Sequence, residues 1–168
     1  RRVTVLRQLA ADGRLVERNS DCRFVQGLVA RQANTLVLAA RCHERESVPF
    51  KAFDGIVDAL SRYLRKLDHV DAALLLPHDT AVLARVFPVL KRVPVVARMP
   101  QPRQRAGDPQ SLRTRAFLAL REIFQRLAQR APLVLLIDDL QWADQDSLTL
   151  LGEVMHPPGA PALLLIAT

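Results

Sequence analysis

The chain is short of several features that would identify it quickly. Only 5% of its 168 residues are aromatic, so a core has to come mainly from Leu, Val and Ala. Its two cysteines, Cys22 and Cys42, are too few for a disulfide framework or a structural zinc site. No apolar run approaches the ~20 residues that a membrane helix needs. Among the longest are those at 133–137 and 160–168, and Pro161 interrupts the second. Arg1, Arg2 and Arg7 bracket too short an apolar stretch for a signal peptide. The expectation is a cytoplasmic protein with no membrane partner. Proline is missing from the first 48 residues, and all eleven prolines lie from Pro49 onward. The N-terminal third therefore differs in texture from the rest. There is no initiator Met, and the chain stops straight after an apolar run, which reads as a fragment of a longer gene.

What is present is globular. Apolar residues make up 49% and charged residues 24%, and the length suits one domain with a sizeable core. The formal net charge is +7, which raises the question of nucleic acid. The cations are almost all arginine, with lysine only at 51, 66 and 91. Seven arginines against three acids before residue 32 hold +4 of the excess. A solvated basic face outweighs a nucleic-acid surface on this evidence, and nucleic acid is a disfavoured partner.

Periodicity predicts a helix over about 20–32, where Phe24, Val25, Leu28 and Val29 recur. A buried strand is expected at 35–40 and a loop at 41–49. Phe50, Phe53, Ile56, Val57, Leu60, Tyr63 and Leu64 mark one face of a long helix. Asp79 or Thr80 can cap another, which Pro88 would kink or shorten. Four prolines and Gly107 between 93 and 110 predict an irregular connection. Asp108-Pro109 opens a helix with Leu112, Ala116, Phe117, Leu120, Ile123, Phe124 and Leu127 on one stripe, and Ala131-Pro132 ends it. An apolar strand follows at 133–137. Asp144 then starts a helix carrying Leu148, Leu151 and Met155, and a last apolar strand spans 163–167. This order is α/β, with crossovers long enough for parallel pairing.

The sharpest local feature is Leu133-Val134-Leu135-Leu136-Ile137-Asp138-Asp139. An apolar run that ends in paired acids puts carboxylates at the carboxyl end of a buried strand, where open α/β sheets bind ligands. The first acid suits Mg²⁺, held through water, and the second suits a water to be oriented or deprotonated. The bland alternative is a buried strand that ends in a polar loop, with Asp139 or Asp144 capping a helix.

The run Leu-Ile-Asp-Asp-Leu-Gln-Trp-Ala-Asp-Gln-Asp-Ser at 136–147 strongly resembles the Walker B region of STAND-type AAA+ ATPases. These bacterial signal-transduction modules are fused to kinases, cyclases or transcription-factor domains. The stretch Ala-Leu-Leu-Leu-Ile-Ala-Thr at 162–168 looks like their sensor-1 strand. Arg41-Cys-His-Glu-Arg-Glu-Ser-Val-Pro-Phe50 and the residues to Asp58 resemble the segment after their second strand. The resemblance covers roughly 34–168, and it is specific at 136–147 and 41–58. It implies an α/β, P-loop NTPase-like (AAA+) three-layer fold with a mostly parallel sheet, incomplete at both ends. The core would occupy 34–168, and 1–33 would be a diverged segment where the phosphate loop belongs. The implied cofactors are ATP and Mg²⁺. By the same resemblance Asp138 is the metal-binding acid, Asp139 the catalytic acid, and Thr168 a nucleotide-binding residue near the γ-phosphate. The implied partners are effector or sensor domains covalently attached in a longer parent protein, and oligomerisation is open. Gln141, Trp142 and Asp144 match the loop that follows, with Trp142 either a loop anchor or a partner contact.

One requirement is missing. A phosphate loop reads Gly-x-x-x-x-Gly-Lys-Ser/Thr, because glycines let backbone N–H groups wrap the phosphates. The nearest spacing is Gly-Arg-Leu-Val-Glu-Arg-Asn-Ser at 13–20, with Arg18 and Asn19 where Gly and Lys belong. Arg18 cannot replace the close backbone approach that glycine permits. For the strand ahead of that loop the residues at 3–6 are the candidate, although the chain continues more like a helix. Adjacent Cys42 and His43 lack metal-ligand spacing, so a buried thiol is favoured over zinc. Asp144 and Ser147 read as a helix start rather than as catalysis. Arg113 and Arg115 read as a solvated helix face more readily than as arginine fingers.

Overall fold

The apolar run at 133–137 can be satisfied only by covering both faces of an extended segment, and in the computed structural model it is the middle strand of a parallel trio within a sheet. The structure describes residues 4–7, 15–17, 34–45, 49–100 and 109–168. Five strands are present among them: β1 (Thr4–Arg7), β2 (Leu15–Glu17), β3 (Leu36–Arg41), β4 (Leu133–Asp138) and β5 (Leu163–Ala167). They lie in the order β2-β1-β5-β4-β3. The trio β3, β4 and β5 is parallel, while β1 runs antiparallel to both β5 and β2. The helices between the parallel strands are α1 (Lys51–Leu64), α2 (His69–Leu75), α3 (Thr80–Val86), α4 (Pro94–Ala97), α5 (Pro109–Arg130) and α6 (Gln145–Met155). The expected α/β class is what the structure has.

Register fixes the faces. Leu38, Ala40, Leu133, Leu135, Ile137, Leu163 and Leu165 point into one core with helix residues such as Phe53, Ile56, Leu120, Phe124 and Leu150. On the opposite face Val134, Leu136 and Ile166 make a smaller buried cluster, to which no described helix contributes. The predicted helix over 20–32 lies outside the described residues. Helix α1 comes close to the sheet at Gly55. A Cβ there would sit 2.9 Å from the Ala40 Cβ, so the residue's lack of a side chain sets the helix–strand distance.

Several expectations need correction. The strand predicted at 35–40 is displaced by one residue. Helix α2 was not expected; Asp68 caps it by accepting from the Asp71 N–H at 2.8 Å. Asp79 stands at the N-cap position of α3 but makes no capping bond, because its carboxylate is engaged by Arg115 at 3.1 Å. Pro88 does stop α3, and a 3₁₀ turn (Pro88–Arg92) takes over. The connection predicted to be irregular over 93–110 begins with the helical turn α4, which Pro94 opens because a first-turn N–H needs no partner. Residues 101–108 lie outside the described residues, including Asp108, the expected cap of α5.

Candidate functional site

The parallel trio ends together. Arg41 is in register with Asp138 across β3 and β4, and Ile137 with Ala167 across β4 and β5. The carboxyl ends of three adjacent strands therefore deliver Arg41, Asp138 and Thr168 to one edge of the sheet. Asp139 follows in the left-handed region at φ 57°, which Asp tolerates better than most residues. That turn reverses the chain into a 3₁₀ turn, Leu140–Trp142. The reversal is pinned by the Leu140 N–H to the Thr168 carbonyl at 2.8 Å.

Thr168 joins the two acids. Its hydroxyl donates to Asp138 Oδ1 and accepts from the Asp139 backbone N–H at 3.1 Å. Gln141 Nε2 donates to Asp139 Oδ1 at 3.0 Å. The three site residues expected from the sequence, Asp138, Asp139 and Thr168, are thus brought together at the tip of the middle strand of the parallel trio. A fourth had not been anticipated. Arg41 Nε donates to Asp139 Oδ2 at 3.0 Å and stands 3.8 Å from Asp138 Oδ2. Two neighbouring carboxylates repel one another unless a cation or hydrogen bonds offset them, and here both do. The Arg41 side chain is 54% exposed and that of Asp139 15%, so the cation lies on the solvent side of the pair. The available signal was positional: Arg41 is the last residue of a strand adjacent to the acid-bearing one.

The third acid of the loop does different work. Asp144 caps α6 by accepting from the Ser147 N–H at 2.8 Å, as the sequence indicated. It also accepts from the backbone N–H groups of Phe50 (3.2 Å) and Lys51 (2.9 Å), at the start of α1. Ser147 Oγ accepts from the Ala52 N–H at 3.1 Å and donates to Asp144 Oδ2 at 2.8 Å. One carboxylate and one hydroxyl thus satisfy amides that α1 would otherwise leave without partners. Burial pushes the Asp144 pKa up, but the Ser147, Lys51 and Phe50 donors outweigh it and hold the carboxyl below its ordinary value. Phe50 needs this support. It sits at φ 62°, a conformation that costs a bulky residue of order 1–3 kcal/mol, and its ring packs on Phe87 and Phe117.

Arg113 and Arg115 both make ion pairs within the chain, Arg113 part-buried and Arg115 on the exposed face that the sequence reading expected. Arg113 lies over the Phe50 and Phe117 rings and pairs with Asp146 at 2.6 Å. Arg115 pairs with Asp79. Trp142 is 41% exposed. No cluster of His, Cys, Asp or Glu among the described residues could hold a metal ion by itself, and Cys42 is buried.

The nearest approach to a phosphate loop, at 13–20, is described only over Leu15–Glu17, and there it is the strand β2. A strand paired along its length cannot wrap an anion. The strand offered as leading into that loop is β1, whose Arg7 pairs with Leu164 and whose Thr4 pairs with Ala167. Its carboxyl end therefore lies at the end of the sheet away from Asp138. No helix among the described residues is long and apolar enough to cross a membrane.

A family model described as an AAA ATPase domain matches residues 23–166. The match includes Arg41, Asp138 and Asp139; it begins after the stretch at 13–20 and ends two residues before Thr168. No curated protein and no solved structure matches the chain. The parallel trio with its helices fits a P-loop NTPase-like arrangement, and the match extends over most of the length: the chain belongs to the AAA ATPase domain family.

Proposed function

We propose that the chain is the ATP-binding, ATPase-type module of a bacterial signal-transduction protein of the STAND kind, with nucleotide binding impaired. The observation that carries this reading is the acid pair at the tip of β4, bridged by Thr168. Two carboxylates and a hydroxyl are hard oxygen donors, and Mg²⁺ takes one or two carboxylates while keeping most of its waters. The donor set fits. Bound Mg²⁺–ATP would supply an electrophilic phosphoryl group for transfer to water. Asp138 would hold the metal through water, and Asp139 would orient the attacking water. The Thr168 hydroxyl would hold the Asp138 carboxylate against the Asp139 backbone, near the terminal phosphate. Effector or sensor domains attached to the same polypeptide would read the bound state.

The fit stops at the phosphates. The sequence contains no Gly-Lys-Ser/Thr loop, and a cation from the chain itself already lies between the acids. Both facts favour a second reading, a non-hydrolysing scaffold or interaction domain that keeps the family's sheet. A fluorescent ATP analogue titrated with Mg²⁺ separates the two. Weak or undetectable binding is expected. Low-micromolar binding that Asp138→Ala abolishes would overturn the impairment and leave a working nucleotide site. Tight binding that Asp138→Ala leaves unchanged would remove the acid pair from the function. The net charge alone supports a nucleic-acid module, and only DNA association falling steeply with salt would revive it.

A further inference from the structure

The outer side of β3 raises a separate question, independent of the acid pair. In a parallel strand alternate residues send both N–H and C=O to the same neighbour. Leu36 N–H donates to the Pro132 carbonyl and Cys42 N–H to the Asp138 carbonyl, each at 2.9 Å. The even-numbered residues of β3 therefore face β4. Val37, Ala39 and Arg41 direct their backbone groups the other way, where no described strand pairs with them.

An edge of this kind is normally blunted by charge, proline or a bulge. Here five of the six strand residues are apolar, and the edge is bordered by a groove of about 510 Å³. Its floor includes Leu36, Val37 and Ala59, and its rim carries Arg62, Arg65 and Lys66 without an acid in the lining. Arg62 is shared with Asp58 on the same helix at 3.4 Å.

We propose that this groove receives an extended acidic segment of a partner protein, which adds to β3 as a further strand. Backbone pairing to Val37 and Ala39 would supply the affinity, as in other strand additions. Apolar side chains on one side of the added strand would meet Leu36 and Ala59, and carboxylates would meet the three cations. A second copy of the chain is the poorer occupant, because it would bring the same cations to the same edge. Nucleic acid would meet the cations but would leave the row of amides unpaired.

A fluorescein-labelled ten-residue peptide alternating glutamate and valine tests the proposal on the intact chain. Saturable binding by anisotropy is expected, with none for the lysine–valine counterpart. The backbone amides of Val37 and Ala39 should gain protection from hydrogen exchange when the peptide binds. Arg65→Glu combined with Lys66→Glu should weaken binding at least tenfold. Ala39→Pro, which removes an outward N–H that β4 does not use, should do the same. Absence of saturable binding would overturn the proposal, as would binding without protection at those two amides or binding unaffected by the charge reversal. Sedimentation showing a dimer that Ala39→Pro dissociates would assign the edge to a second copy instead.

Discussion

Asp138 and Asp139 on one side and Asp144 on the other belong to a single loop, yet they are stabilised in opposite ways. The first two are offset by side chains: a half-exposed guanidinium, a threonine hydroxyl and a glutamine amide. Each of these can rotate away or be exchanged for water or a metal ion. Asp144 is held mainly by backbone N–H groups at the starts of two helices. Those donors cannot leave without unwinding the helices. The loop thus has a replaceable end and a fixed end. A site that must exchange ligands needs the first, and a scaffold that must hold it in place needs the second.

The most severe way to break this contrast is Asp144→Ala. It removes the cap of α6, worth about 1 kcal/mol. It also strands the Phe50 and Lys51 amides, which are only part-buried and so cost less than the about 1–3 kcal/mol of a fully buried unsatisfied group, and it loosens a residue already at φ 62°. The expected loss is about 2–4 kcal/mol in a denaturant titration. Asp138→Asn and Asp139→Asn should each stay within about 1 kcal/mol, as partly exposed charges do. Equal losses at all three positions would end the distinction between the two ends of the loop.

How far the sequence discloses this depends on where each partner lies along the chain. Strands β3, β4 and β5 were legible because a strand covered on both faces is a continuous apolar run. The long helices were legible because their stripes repeat at helical spacing. Helix α2 was not: it has only seven residues, and Val70 and Leu74 are exposed while Ala72 and Leu75 are buried, so no polar face outlines a stripe. The acid pair could be read, but its cation could not, because Arg41 and Asp139 are 98 residues apart and meet only through the register of β3 on β4. Asp144 was half legible. Capping of α6 is a local pattern, whereas its bonds to Phe50 and Lys51 span 94 and 93 residues.

Removing the cation probes the replaceable end. Arg41→Ala leaves two neighbouring carboxylates with no guanidinium between them, Asp138 still held by the Thr168 hydroxyl. Because Arg41 is half exposed, stability should change by less than about 1 kcal/mol. Divalent-ion affinity should respond more clearly. Mn²⁺ titrated by water-proton relaxation is expected to bind several-fold more tightly to the variant. Binding equal to the parent would show that the guanidinium and a metal ion do not compete for those oxygens, and the exchange described above would lose its basis.

Acid titration offers the finest comparison, because it sets the fixed end against an ordinary surface pair. Asp144 and Asp79 both ionise below the ordinary value of 3.8, Asp79 because Arg115 donates to its carboxylate. A carboxyl with a lowered folded pKa adds stability that is complete above its unfolded value and disappears as pH falls through the folded one. Both should therefore steepen the loss of stability below pH 3.8 and leave neutral pH untouched. The Asp79–Arg115 pair is largely solvated, with side chains 31% and 43% exposed, and screening reduces what it can contribute. Asp79→Asn should barely alter the acid limb of a stability–pH curve, and 0.5 M salt should erase the difference. Asp144→Asn should flatten that limb visibly, with little response to salt, because its donors are fixed dipoles at short range rather than a mobile charge. If salt weakened both alike, Asp144 would be held by a mobile charge, as Asp79 is, and the fixed end of the loop would not differ from an ordinary surface pair.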